Sequence, residues 1–168
     1  MKRKKLTLVA GVSVAVIAVG GTAYATQNTA SRHGGSQTRS AEWTEAHNKK
    51  VALDFINLAF NRKKPQEAAD RYIGASYTQH SPGFADGKEA FVAAVKDYTT
   101  QFPQLNEDVK RVAADGDLVY IHTHETTSPT DRGSAIVDIF RLERGKIVEH
   151  WDVTQAVPEK SANDNTMF

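Results

Sequence analysis

The second half of the chain most constrains the fold, because it consists of four long strand-like runs. The first two runs are separated by Asp115-Gly116 and the last two by Arg144-Gly145. Two-residue links of this kind are typical of tight β-hairpin turns, whose central residues often need positive φ. The pattern therefore predicts two antiparallel hairpins, with strands at residues 105–114, 117–127, 134–143 and 146–155.

The segment before these strands is mainly helical in pattern. Apolar residues recur at helical spacing over residues 42–60, and Pro65 stands where a second, short helix would begin. A short strand-like run follows at residues 76–80. Asp86 and Glu89 have the spacing of a capping box and predict the start of a third helix. Helices gathered before an antiparallel run predict an α+β domain, with the helices packed on one face of a curved sheet.

The first 25 residues have the pattern of a signal peptide. Basic residues occupy positions 2–5, residues 6–20 are uncharged and mostly apolar, and Ala23-Tyr24-Ala25 has the small residues of a cleavage site. We therefore expect cleavage after Ala25 and export, either secreted or periplasmic. An uncleaved N-terminal membrane anchor is the alternative. Residues 26–40 are rich in Ser, Thr, Gln and Gly and predict a flexible linker, which leaves 41–168 as the folded domain.

Composition excludes several kinds of function. Cleavage would remove four of the 21 basic residues and none of the 20 acidic ones, leaving a mature net charge of −3. With no basic stripe, we expect no nucleic-acid partner, and after cleavage we expect no stable membrane partner. The absence of cysteine excludes disulfides, thiolate nucleophiles and thiolate metal sites.

The second hairpin points to Asp138 as a candidate catalytic residue. A two-residue turn at positions 144–145 fixes the strand register, and counting outward pairs Asp138 with Trp151. Opposed residues share a face, so Phe140 would lie beside Asp138 and His150 on the opposite face. Burial among aromatic residues disfavours the anion, and such a carboxyl group can act as a general acid or base. A structural Asp bonded to the Trp151 indole or to backbone N–H groups is the alternative.

Three further histidines are candidates for the same site. His122 and His124 share one strand face with Tyr120. If that face lines the pocket, the histidines supply proton carriers beside Asp138; otherwise they are exposed to solvent. His80 ends the short strand next to a turn, where pocket mouths are common. His-x-His near a carboxylate is also a metal-ligand pattern that His80 or His150 could complete, although strand parity places His150 on the face opposite Asp138. Acid/base chemistry is the preferred hypothesis.

Four segments together resemble a known family. They are residues 77–82 (YTQHSP), 85–89 (ADGKE), 137–152 (VDIFRLERGKIVEHWD) and 161–168 (SANDNTMF). In these segments the chain is similar to the SnoaL-like proteins of the nuclear-transport-factor-2-like superfamily, often described as predicted aldol-condensation-catalysing enzymes. The resemblance covers about residues 41–168. It implies a cone of curved antiparallel sheet closed by helices around a pocket, and a homodimer.

The resemblance also implies a mechanism. Asp138 resembles the pocket acid/base of the polyketide cyclases, and His124 or His122 resembles their histidine on a neighbouring strand. Together they would abstract a proton next to a carbonyl group, giving lyase or isomerase activity on a small carbonyl compound without cofactor or metal. The substrate-binding residues would be Trp151, Phe140, Tyr120 and His80. A non-catalytic module that binds a small apolar ligand in the same pocket is the alternative.

Overall fold

A computed structural model describes residues 34–168, with side chains described from Thr44 onward. The predicted signal peptide and residues 26–33 of the predicted linker lie outside this range. The described elements are helices α1 (Gly34–Ile56), α2 (Pro65–Tyr72) and α3 (Lys88–Gln101), a π-helical turn (Asn57–Asn61), and strands β1 (Ile73–Gln79), β2 (Asn106–Asp115), β3 (Leu118–Thr126), β4 (Ser134–Glu143) and β5 (Lys146–Ala156).

The predicted order of elements is confirmed, and with it the α+β class. The first helix begins earlier than its apolar pattern indicates, at Gly34, so it overlaps the predicted linker over residues 34–40. These residues include two glycines and no proline, so local sequence does not favour the extension, and it follows from propagation of the helix already formed by the residues after them. None of the described helices has the length and apolar composition needed to cross a bilayer.

The five described strands form one mixed sheet in the order β1-β5-β4-β3-β2. Strands β2 to β5 pair antiparallel, as their hairpin pattern predicts. The short strand β1 lies at the edge and pairs with β5 in parallel. That pairing joins segments separated by α3 and two hairpins, so local sequence does not specify it.

The two hairpin turns differ in how well the sequence predicts them. Arg144 and Gly145 both have positive φ, 51° and 74°, which confirms the predicted turn. In the other hairpin Asp115 remains paired with Leu118, so the turn lies one residue later than predicted, with Gly116 at φ 61°. Contacts with α1 hold this tip, because the Gly116 N–H donates to the Glu45 carboxylate over 3.0 Å.

The predicted capping box of α3 does not form. Gly87 is the N-cap residue, at φ 97°, and no side chain caps the helix. The Asp86 carboxylate instead accepts a hydrogen bond from the backbone N–H of Gln79 over 2.7 Å. The capping prediction was wrong because the end of β1 lies within reach of this carboxylate.

A β-bulge changes the register of β4 and β5 near their turn. Leu142 pairs with Ile147, but the next pair is Arg141 with Glu149, which leaves Val148 as an extra residue. Ile147 and Val148 are both buried, at 0% and 7% exposure. Gly74 on β1 accommodates this side chain, since a Cβ on Gly74 would lie 3.0 Å from Val148 Cγ1.

The bulge reverses the predicted faces of β5 beyond it. Asp138 pairs with Asp152, and Ile139 pairs with Trp151. The predicted pairing of Asp138 with Trp151 is therefore wrong. His150 lies on the face of Asp138, whereas Trp151 lies on the opposite face.

The described helices cover one face of the sheet, called the inner face here, which carries Ile121, Asp138 and Phe140. The Phe55 ring of α1 makes an edge contact with Phe140, with centroids 5.7 Å apart, and packs against Phe91 of α3 at 5.1 Å. Phe55, Phe140 and Ile121 are at most 1% exposed. The core therefore lies between the inner face and the helices, and the opposite side of the sheet is the outer face.

Candidate functional site

A cavity of about 500 Å³ opens between the inner face and the helices. The end of α1 and the π-helical turn supply Ile56 and Phe60, and α3 supplies Val95 and Tyr98. A smaller recess of about 40 Å³, lined by Tyr77 and Phe140 among others, shares Asp138 and His150 with it. The polar side chains that line the main cavity from the strands are Glu107, Glu125, Asp138, His150, Asp152 and Thr154.

Asp138 and His150 form a close pair in this cavity. His150 Nε2 lies 3.0 Å from Asp138 Oδ1, and each side chain is 12% exposed. The His150 ring stacks on Phe140, with centroids 4.8 Å apart. The bulge at Val148 creates this pair, because His150 would lie on the outer face if Val148 were paired with Arg141 in regular register.

Hydrogen bonds on the far side of the ring determine which nitrogen of His150 carries hydrogen. Gln79 Oε1 accepts from the backbone N–H of Ser81 over 2.9 Å, which identifies it as the amide oxygen. His150 Nδ1 lies 2.9 Å from the same oxygen and must therefore donate to it. Gln79 Nε2 in turn donates to the Tyr77 hydroxyl over 3.3 Å.

This assignment defines the protons of the pair. With hydrogen on Nδ1, the contact between His150 Nε2 and Asp138 Oδ1 needs a second proton between them, because two bare lone pairs would repel. The pair therefore holds one shared proton, as imidazolium with carboxylate or as neutral imidazole with carboxylic acid. Burial and the Asp138 charge raise the pKa of Tyr77, so its phenol stays neutral beside them. Such a pair can donate or accept a proton.

A second acidic group lies along the cavity wall. Glu107 on β2 directly opposes Glu125 on β3. The Tyr98 hydroxyl donates to Glu125 Oε1 over 2.8 Å. Burial, followed by the charges of Glu125 and Asp138, raises the pKa of the Glu107 carboxyl to about 10. Glu107 is therefore a neutral carboxylic acid at pH 7.

The backbone at Glu107 is held by the π-helical turn. The Asn61 amide donates to the Glu107 carbonyl over 2.9 Å and accepts from the Glu107 N–H over 2.7 Å. Single π-helical turns are frequent at functional sites. Here the turn places Asn61 so that a carboxyl group only 6% exposed is fixed in position at the cavity.

The structure does not bring the predicted histidine pair to Asp138. His122 and His124 lie on the outer face, where their rings stack on Phe168 with centroids 5.6 and 4.2 Å away. His122 Nδ1 contacts Arg111 Nη1 at 3.0 Å, and His124 Nε2 donates to the Arg132 carbonyl over 2.9 Å. Of the two placements considered for this pair, the structure shows the one away from the pocket.

Most of the predicted substrate-binding residues also lie on the outer face or at its edge. Trp151 stacks on His80 with centroids 4.7 Å apart and planes 4° apart, and His80 Nε2 lies 2.9 Å from Glu149 Oε1. Tyr120 pairs with Ile139 and shares the outer face with it. Phe140 lies on the inner face, as predicted, and lines the deep recess.

The part of the chain that the structure describes has no cluster of side chains that could bind a metal ion. No group of three or more His, Cys, Asp or Glu side chains among residues 34–168 is arranged to hold a metal ion. The six histidines of the sequence therefore include no described trio of the kind that His-x-His with His80 would have formed.

The fold and cavity define a small α+β domain in which helices close one sheet over a pocket, an architecture shared with SnoaL-like structures. A model of the SnoaL-like domain matches residues 52–150. The chain belongs to the SnoaL-like family, which confirms the resemblance seen in its sequence. No curated protein matches the chain by sequence.

Solved structures support the same fold. TsrD from Streptomyces laurentii is 20% identical with a TM-score of 0.54, over 65% of this chain and 88% of its own. A putative polyketide cyclase from Acidithiobacillus ferrooxidans is 19% identical with a TM-score of 0.55, over 64% and 87%. A putative isomerase of the SnoaL-like family from Agrobacterium tumefaciens is 11% identical with a TM-score of 0.57, over 66% and 99%. At these identities the likeness establishes the fold alone.

Proposed function

We propose that this protein is a lyase or isomerase that acts on a small carbonyl compound by acid/base chemistry, without a cofactor. The observation that carries the proposal is the 3.0 Å contact between Asp138 and His150 inside the cavity between the sheet and the helices. The family supports it, since structural neighbours are named as a putative polyketide cyclase and a putative isomerase. In this proposal His150 takes the role that the sequence assigned to His122 or His124.

The proposed step is removal of a proton from the carbon next to a carbonyl group. Asp138 accepts that proton on its second oxygen while Oδ1 remains hydrogen-bonded to His150. The imidazolium of His150 balances the negative charge of the enolate, which can then attack a second carbonyl of the same molecule. The proton returns from Asp138 to the alkoxide formed in that attack. Exclusion of water and a fixed substrate position favour each of these transfers.

Export belongs to the same proposal. Residues 1–25 act as a signal peptide, and the mature protein works outside the cytoplasm on a small-molecule substrate, as a homodimer. The export proposal is based on the basic residues near the N-terminus, the apolar run that follows them and the Ala23-Tyr24-Ala25 pattern. N-terminal sequencing of the exported protein should give Thr26 as the first residue, and an intact Met1 would contradict cleavage.

A carbon-acid assay tests the chemistry without knowledge of the natural substrate. Phenylacetone is an apolar ketone that is small enough for a 500 Å³ cavity. We expect the protein to accelerate exchange of its α-protons for deuterium in D₂O, followed by ¹H NMR. Asp138→Asn and His150→Gln should each lower the protein-dependent exchange rate by about 100-fold or more. His124→Gln, on the outer face, is the matched control and should keep the rate.

Ligand binding separates an enzyme from a binding module in the same experiment. Saturable shifts of the protein resonances on adding phenylacetone would show that the ketone occupies the cavity. Binding without faster exchange in the unmodified protein would overturn the enzyme proposal and favour a binding module. Equal loss of exchange in His124→Gln would contradict the assignment of the chemistry to the inner face.

A further inference from the structure

Gln79 contacts the edge of the His150 ring that points away from Asp138. It is the last residue of β1 and pairs with His150 of β5 at the parallel edge of the sheet. Gln79 Oε1 lies 2.9 Å from His150 Nδ1, while Asp138 Oδ1 lies 3.0 Å from Nε2. The next residue, His80, donates its backbone N–H to the His150 carbonyl over 2.9 Å. The imidazole is therefore held between an amide on one edge and a carboxyl group on the other.

The Gln79 amide cannot turn over without losing a hydrogen bond. Its Oε1 accepts from the Ser81 backbone N–H over 2.9 Å, and its Nε2 donates to the Tyr77 hydroxyl over 3.3 Å. Rotation of the amide by half a turn would place its NH₂ group against the Ser81 N–H, donor against donor. The backbone at Ser81 thus makes Gln79 present an acceptor to His150.

Two acceptors around one ring leave neutral His150 without a good place for its single hydrogen. With hydrogen on Nδ1, the bare Nε2 faces an oxygen of the Asp138 carboxylate. With hydrogen on Nε2, the bare Nδ1 faces the oxygen of Gln79. Both contacts are hydrogen bonds only when the pair holds a second proton, so the Gln79 amide favours the state that retains this proton.

We propose that Gln79 is a positioning residue for the proton transfer, which keeps hydrogen on His150 Nδ1 and so retains the shared proton between Nε2 and Asp138. Without this acceptor, neutral His150 would carry its hydrogen on Nε2 and donate it to the Asp138 carboxylate. No imidazolium would then balance the charge of the enolate. Gln79 acts through His150, and the inference rests on the proposed function for the reaction that the shared proton serves.

Nitrogen-15 NMR of the full chain, labelled at histidine, tests the proton assignment directly. The His150 signals are those missing from the spectrum of His150→Gln, and the shift of each ring nitrogen reports whether it carries hydrogen. Gln79→Met keeps the length of the side chain and removes its oxygen. In this variant Nδ1 should lose its hydrogen at a pH at least about one unit lower than in the unmodified protein, the equivalent of one net hydrogen bond. The remaining hydrogen should then lie on Nε2.

A second variant restores the acceptor. The carboxylate in Gln79→Glu can accept from His150 Nδ1 as the amide oxygen does, so Nδ1 should keep its hydrogen at least as well as in the unmodified protein. The other titratable groups around the pair are common to the unmodified protein and Gln79→Met and cannot cause their difference. They are Tyr77 on β1, Asp97 and Tyr98 on α3, Glu107 on β2, Glu125 on β3, Asp138 on β4 and Asp152 on β5.

The phenylacetone assay connects the proton assignment to the reaction. Gln79→Met should lower the protein-dependent exchange rate by about tenfold or more and keep saturable binding of the ketone, and Gln79→Glu should exchange faster than Gln79→Met. Gln66→Met, at an exposed glutamine of α2, is the matched control and should change neither the His150 signals nor the rate.

Three outcomes overturn the inference. They are a bare Nδ1 in the unmodified protein at pH 7, loss of the Nδ1 hydrogen at the same pH in the unmodified protein and Gln79→Met, and a Gln79→Glu protein that behaves like Gln79→Met. Absence of exchange in the unmodified protein would instead refute the acid/base proposal. The NMR spectra need no turnover, so the two failures are distinguishable.

Discussion

The two faces of the sheet carry similar residue types, but these side chains make different contacts on each face. On the outer face His122 and His124 stack on Phe168, and His80 stacks on Trp151. On the inner face His150 contacts a carboxylate at the wall of a cavity. The comparison teaches that a histidine is a candidate for proton transfer because of what it faces, and residue type alone does not decide it.

The glutamates of the two faces differ in the same way. Glu149 on the outer face accepts from Arg141 Nε over 2.6 Å and contacts His80 Nε2 at 2.9 Å. Glu107 on the inner face opposes Glu125, whose charge, after burial, raises the pKa of the Glu107 carboxyl. Outer-face charges therefore stabilise the fold modestly, whereas the buried carboxyl group of Glu107 opposes it when ionised.

The largest expected difference between the faces is in packing. Phe140→Ala should lower the free energy of unfolding by about 3–5 kcal/mol, because it removes a ring that is 1% exposed and leaves a cavity in the core. Val153→Ala on the outer face, where the side chain is 70% exposed, should change it by less than about 0.5 kcal/mol. Urea denaturation measures both values. A similar loss in the two variants would contradict the assignment of the faces.

The second-largest expected effect is the pH dependence of stability that Glu107 causes. Its pKa is about 10 in the folded protein against 4.5 for a free glutamate, so between these values the folded state binds one more proton than the unfolded chain. The stability contribution of this group therefore falls as pH rises from about 4.5 towards 10. Glu107→Gln removes the effect and should stabilise the protein, by up to roughly 3 kcal/mol at pH 7.

Urea denaturation of both proteins at several pH values checks this prediction. The stability gap between Glu107→Gln and the unmodified protein should widen steadily from pH 5 to pH 8. A gap of constant size would show that the variant acts by a route other than ionisation.

The smallest expected effect is on the outer face, where replacing Glu149 should lower the stability of the protein and not raise it. The Arg141 guanidinium, then His80, lowers the pKa of Glu149, so its stabilising contribution is present above about pH 4.5 and is lost as pH falls through the lowered folded-state value. Glu149→Gln should cost less than about 1 kcal/mol at pH 7, because the ion pairs are partly exposed. The same denaturation series should show no cost at pH 3, and stabilisation by this variant at pH 7 would refute the contrast.

Local sequence patterns predicted the elements well and the site only in part. The hairpin at Arg144-Gly145, the helices and the inner position of Phe140 follow from turn chemistry and apolar spacing, which act within a few residues. The bulge at Val148 depends on the close approach of Gly74 from β1, a contact across more than seventy positions. Two successive apolar residues, Ile147 and Val148, in an alternating strand are the local signal for it.

The remaining site residues lacked a usable signal. Because the bulge was not predicted, His150 was placed on the outer face. Asp138, which contacts His150 in the cavity, was identified from the sequence. Glu107 is buried, although carboxylates usually face water. Its position depends on hydrogen bonds between its backbone and the Asn61 side chain, and local sequence does not predict these contacts across the fold. The catalytic role of Asp138 and the binding roles of Trp151, Phe140, Tyr120 and His80 remain predictions.

The bulge also affects how the lining of such a pocket can change during evolution. If Val148 were instead paired with Arg141 in regular register, the rest of β5 would shift by one residue, and Glu149 and Trp151 would replace His150 and Asp152 along the cavity. Deletion of Val148 would remove the bulge but leave Glu149 opposite Arg141 and His150 opposite Phe140, so the same side chains would line the cavity. In relatives whose β5 has the same length but pairs without the bulge, aligned positions of β5 face opposite sides of the sheet, and roles transferred by alignment column would be exchanged.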